Sequence, residues 1–195
     1  MKSLFSEYSY KGMAKMFINQ FAISIFGAGL AMATTAAGNT VLTVVVSGFA
    51  ILFYLFLIYV MTWELGAADR LAVDLGKKQA RPHLGLVLSL FANIPNFLIA
   101  IAYTVGFPFM ARQEWAGSLC AVVKLLVVIF EGMYLGLITA LSIGGQQLNY
   151  YWWTYFLLTV PALATAWVAY YFGYRNFKCT TLFDYKAPSQ GKKKD

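Results

Sequence analysis

The sequence predicts an all-α fold, a polytopic membrane helical bundle with about five hydrophobic segments, and three observations predict it. Apolar residues make up 60% of the 195 and charged residues only 12%, about half the charged share of a soluble domain. The charges are also confined to the first 15 residues, the stretch from Glu64 to Arg81, and the region after Tyr174, with few between. The apolar tracts separating them are long enough for a hydrocarbon layer of ~30 Å, which takes roughly 20 helical residues. Helices follow, because lipid offers no partner to an unpaired backbone group.

The opening MKSLFSEYSYKGMAK reads as a basic cytoplasmic arm over residues 1–15, and the helical domain then occupies 16–175. The first tract runs from about Met16 to Ala37; its preceding lysines and Ala31-Met32-Ala33 imitate a signal peptide, but it is expected to stay attached as a span. Gly38-Asn39 signals a turn. The second tract, about Thr40 to Trp63, is the least ambiguous crossing and makes a tight hairpin with the first.

Between Glu64 and Lys78, Leu65, Ala68, Leu71, Ala72 and Leu75 recur at helical spacing among charged residues, which predicts an interfacial helix ended by Gly76. The third tract, His83 to Met110, is interrupted by Asn93-Ile94-Pro95-Asn96 and should break or kink at Pro95. A fourth tract, about Ser118 to Ser142, carries Lys124 and Glu131. IGGQQLNYYWW connects it to the fifth, whose Tyr150 to Trp153 border resembles an interfacial aromatic belt. Residues 176–195 form a basic tail expected to be disordered.

Two topologies compete for these tracts. Five crossings put the termini on opposite faces and divide Lys and Arg equally between them, leaving no orientation by the positive-inside rule. If the third tract instead dips in and returns at the Asn93 to Asn96 break, the charged connections and both termini share one face. An apolar run of that length ordinarily crosses, and a proline alone only kinks it, which favours five crossings. Either way the amino terminus is expected to be cytoplasmic.

Glu131 is the leading candidate for function, because a charge near the middle of a tract is costly and faces a bundle interior or a water-filled path. The plainer reading is a protonated or hydrogen-bonded glutamate that locks helices together. Asn93 and Asn96 are the second candidates, since broken helices expose backbone groups at membrane depth. Lys124 shares a face with Glu131 about 10 Å away along the axis and is as readily a snorkelling lysine. Gly27, Gly132 and Gly136 are packing candidates, the last two at GxxxG spacing.

Glu64, Asp69 and His83 permit an enzyme acting on a lipid-like substrate, but no dense acidic cluster, HExxH, nucleotide-binding loop or GxSxG accompanies them. No metal or cofactor is implied, and Cys120 and Cys179 read as unrelated thiols. The net charge of +7 belongs beside the apolar segments, where it meets anionic lipid rather than nucleic acid.

The stretches WELGAADRLAVDLGKK, HLGLVLSLFANIPNF and YYFGYRNFK resemble small uncharacterised multi-pass membrane proteins of Firmicutes. That resemblance implies a bacterial cell membrane and transfers no activity or ligand. The sequence favours a membrane subunit of a transport or envelope complex that contacts lipid and either itself or another membrane protein. The alternative is a stand-alone transporter or channel, and what separates the two is whether Glu131 and the Asn93 to Asn96 break share one cavity.

Overall fold

The computed structural model describes residues 7–177 apart from Lys78, Ala80 and Pro82, with residues 7–10 described by backbone alone; the expected tail and the start of the arm lie outside it. Among the described residues the chain is helical, with α1 at Glu7–Ala36, α2 at Thr40–Asp74, α3 at Leu84–Ala92, α4 at Ile94–Gly106, α5 at Glu114–Glu131, α6 at Leu135–Ala140 and α7 at Trp152–Tyr174. A two-stranded ribbon, Ser142–Ile143 (β1) against Gln146–Gln147 (β2), precedes α7. The exposed surface is lined with residues such as Ile25, Phe49, Leu52, Phe56, Leu98 and Val122. That is the outside of a bundle solvated by lipid.

The first two tracts form the expected hairpin. Gly38 takes a positive φ of 70° at the turn, and Asn39 caps α2 by accepting from the Leu42 N–H. The stretch from Glu64 to Asp74 does not form an element of its own. It continues α2, which runs unbroken for 35 residues, or about 50 Å at 1.5 Å per residue. The turn in Asn39 defines a distal end of the bundle; the start of α1, where Gly12 meets Leu65, defines the proximal end.

α7 runs parallel to α2 and ends proximally, where the Tyr170 hydroxyl donates to Asp69. The two backbones touch there: a methyl on Gly66 would strike the Tyr170 carbonyl, and one on Gly173 would strike the Trp63 carbonyl. Small residues are what permit that approach in lipid.

The third tract crosses. Gly85 at its start packs on Ala166 and Tyr170, near the proximal end of α7. Tyr103 near its finish lies edge-on to Tyr155, centroids 4.6 Å apart, and reaches the Asn149 carbonyl at the distal end. The span is broken by 55° between Leu84–Ala92 and Ile94–Phe109. Pro95 sits in the first turn of α4, where its missing N–H costs nothing.

The fourth tract departs from expectation, because it enters and leaves by the same end. By length and composition Glu114–Ala140 could cross, at 27 residues. Its first half starts distally, with Cys120 against Gly106 and the Lys124 ammonium 4.0 Å from the Tyr150 ring centroid. It descends until Phe130 rests on Phe17 and Phe21 of α1. At Glu131 the backbone leaves the helix (φ −128°, ψ 21°) and a short 3₁₀ turn, Gly132–Tyr134, begins. α6 then rises again, placing Gly136 against Ala31, Thr43 and Ser47, and Ala140 beside Asn39, Thr40 and Gln147. The bundle therefore has four crossings and one re-entrant hairpin, and the reversal belongs to the fourth tract instead of the third.

Candidate functional site

Why the fourth tract turns back is visible in α1. In a continuous helix the Gly132 N–H would bond to the Val128 carbonyl; here the Ser24 hydroxyl stands between them. Its Oγ accepts from Gly132 N and donates to Val128 O at 3.4 Å. A side chain inserted into the i to i−4 ladder is a recognised cause of a helix break. Gln20 Nε2 donates to the next freed carbonyl, Phe130 O, at 3.2 Å. Two polar residues of the first tract thus cap the end of α5.

Glycines let the hairpin seat closely. A methyl on Gly27 would meet the backbone of Met133, one on Gly132 the backbone of Ser24, and one on Gly136 the hydroxyl of Ser47. Gly29, by contrast, faces open space.

At the hairpin tip, Glu131 is 1% exposed, and its Oε2 has no hydrogen-bond partner among the described residues. Tyrosines surround it. Tyr54 on α2, Tyr134 on the 3₁₀ turn and Tyr155 on α7 all lie within electrostatic reach of the carboxyl. The Tyr134 hydroxyl is buried and also without a partner. A carboxyl and a phenol left unpaired in such a setting have the chemistry to take up a proton, a cation or water.

The other sequence candidates are arranged differently. Asn93 Nδ2 donates to the Ser89 carbonyl and Asn96 Nδ2 donates to Asn93 Oδ1, each at 2.9 Å. These hydrogen bonds run within the break, and the Ser89 carbonyl also accepts from the Asn93 N–H at 3.0 Å, so both asparagines are satisfied by their own segment. Lys124 lies over Tyr150 at the distal border, the geometry of a snorkelling cation held by an aromatic ring. Two surface depressions, of about 260 Å³ distally and about 350 Å³ proximally, are lined by neither Glu131 nor the asparagines. Neither depression joins Glu131 to the Asn93 to Asn96 break.

Of the residues considered for an enzyme, Asp69 is bonded to Tyr170, and His83 stacks near Trp167 with centroids 6.4 Å apart. No group of three potential metal ligands occurs among the described residues. Ser24, Tyr54, Tyr134 and Tyr155 carry no motif, so sequence inspection passes them over; a lone serine in an apolar tract was the available signal for the first.

Searches against protein families, curated proteins and solved structures find no match. The protein is a polytopic all-α membrane protein with a re-entrant hairpin.

Proposed function

We propose that this protein is a bacterial membrane transporter or channel for a small solute or ion, in which Glu131 is the proton- or cation-binding group. The observation that carries this reading is the unpartnered carboxyl oxygen of Glu131 at the tip of a hairpin that penetrates and returns. Non-helical backbone at membrane depth is tolerated where it is buried in protein or lines a cavity, and half-helix carboxyl ends favour cations. A purely structural glutamate would be expected to have both oxygens bonded to a neighbouring helix.

Orientation follows from charge. Lys11, Lys15, Arg70, Lys77, Arg81 and Arg175 lie toward the proximal end, against Arg112 and Lys124 toward the distal end. The positive-inside rule then makes the proximal end, with the amino terminus, cytoplasmic. A subunit role is the second reading, favoured by the two depressions, neither of which joins Glu131 to the Asn93 to Asn96 break, and by Gly29 and Gly48, which face open space and leave room for a neighbouring helix.

The test is ion flux into liposomes containing the purified protein, with trapped pyranine reporting H⁺ and Na⁺ or K⁺ supplied in turn. Wild-type protein should pass one of these ions, Glu131→Gln should abolish the flux, and Lys124→Gln should retain it. Equal flux in wild type and Glu131→Gln, or none in wild type, rejects the proposal.

A further inference from the structure

Among the described residues, four buried side-chain atoms lack a hydrogen-bond partner: Glu131 Oε2, Tyr134 OH, Asn149 Oδ1 and Thr154 Oγ1. They are not scattered through the bundle. Asn149 lies in the turn before α7 and Thr154 in the first turn of α7, both at the distal end. The backbone carbonyl of Asn149 accepts from Tyr155 at 2.7 Å and from Tyr103 at 3.4 Å. Tyr155 is in turn within electrostatic reach of Glu131. Asn149 and Thr154 thus lie at the distal border and Glu131 and Tyr134 at the hairpin tip, and Tyr155 is related to both ends.

The half of the bundle below Glu131 is built differently. Phe130 packs on Phe17 and Phe21 with ring centroids 5.9 and 6.1 Å apart. Met16, Ile58, Leu88 and Ala166 are buried around them. Polar groups there have partners within the protein: the Thr62 hydroxyl donates to Ile58 O, and Asn93 and Asn96 bond within the break. The polar groups named in the proximal half are satisfied within the protein, whereas Asn149 Oδ1 and Thr154 Oγ1 toward the distal end are not.

We propose that Glu131 is reached by water and small cations through a half-channel from the distal end, past Asn149, Thr154 and Tyr155, and is closed toward the proximal end. The unpaired groups give the path its chemistry. Each buried donor or acceptor without a partner is destabilising, and a chain of water molecules would relieve all four at once. The titratable groups within electrostatic reach of the carboxyl are Tyr54 from α2, Tyr134 from the hairpin and Tyr155 from α7, while α1 presents Gln20 and Ser24 to the adjoining backbone. These are neutral donors and acceptors, suited to a hydrated proton or a monovalent cation. The proposal deepens the transport reading by giving its site a side of entry, and it rests on that reading only for the role of the ion.

The test uses full-length protein in sealed vesicles of both orientations, with Cys120 and Cys179 replaced by serine and one cysteine introduced at a time. Ag⁺, a thiol reagent of cation size, is applied from one side, and surviving thiols are labelled after denaturation. Thr154→Cys and Asn149→Cys should be blocked only from the side on which Gln146→Cys reacts with an impermeant maleimide. Ile58→Cys should resist from both sides. Protection of both Thr154→Cys and Asn149→Cys from either side, or block of Ile58→Cys from the side opposite Gln146→Cys, overturns the half-channel. The distal labelling pattern without ion flux upholds the path and rejects the transport role; flux that depends on Glu131, with both reporters protected, rejects the path alone.

Discussion

Removing the Ser24 hydroxyl should release the turn that makes the fourth tract re-entrant. Ser24 is 0% exposed and its Oγ serves two groups, the Gly132 N–H and the Val128 carbonyl. In Ser24→Ala both lose that partner at a fully buried position. A buried donor left unpaired costs about 1–3 kcal/mol, whereas interhelical hydrogen bonds in membranes average about 0.6 kcal/mol and reach about 1.7 kcal/mol. The long 3.4 Å bond to Val128 belongs at the weak end, and the Gly132 N–H at the strong end, because the break at Glu131 removes its helical alternative. Together they give about 2 kcal/mol, close to thirtyfold in the folding equilibrium. Reversible unfolding in bicelles, followed by steric trapping, measures it. Thr139→Ala is the control, since that hydroxyl bonds within its own helix to Leu135 O at 2.8 Å. A Ser24→Ala effect within about 0.5 kcal/mol of the control, the ordinary scatter of an inconsequential substitution, would refute the account of the turn.

The same assay separates the glycines. Gly66→Ala and Gly173→Ala drive a methyl into an opposing carbonyl and should destabilise by about 1–3 kcal/mol, as overpacking does; Gly29→Ala, with open space around it, should gain up to about 1 kcal/mol from helix propensity. Equal responses at the three positions would contradict the α2–α7 approach. For topology, impermeant maleimide should reach Lys77→Cys and Arg175→Cys from one side, and Arg112→Cys and Gln146→Cys from the other. Arg112→Cys and Arg175→Cys reacting together from the side opposite Lys77→Cys would restore five crossings.

Much of this bundle was legible from local features. The Gly38-Asn39 turn, the continuous apolarity of α2 and the interruption near Pro95 each depend on residues adjacent in the chain. The separate surface helix expected at residues 64–78 failed for a different reason. Its pattern of leucines and charges is amphipathic, but Leu65, Gly66 and Asp69 are buried on the same side as Ile58 and Thr62, so packing against α7 continues the helix past the point where hydropathy falls. The Asn93 to Asn96 break was equally readable as a reversal or a kink. Its outcome depends on Gly85 meeting Tyr170 and Tyr103 meeting Tyr155, contacts between distant parts of the chain.

Hydropathy cannot distinguish an apolar tract that crosses from one that doubles back, since both exclude water along their whole length. What differs is where freed backbone groups find partners. The fourth tract has no proline and no asparagine at its reversal; its only local sign is an isolated Glu131 followed by Gly132 and Gly136. The partners come from Gln20 and Ser24, more than a hundred residues earlier. Charge retains the information that hydropathy loses. Counting crossings by where Lys and Arg lie calls for one reversal that returns Arg175 to the side of Lys77, and that demand is met whichever tract reverses. The charges therefore carry the parity of the fold, and the Ser24 hydroxyl decides which helix obeys it.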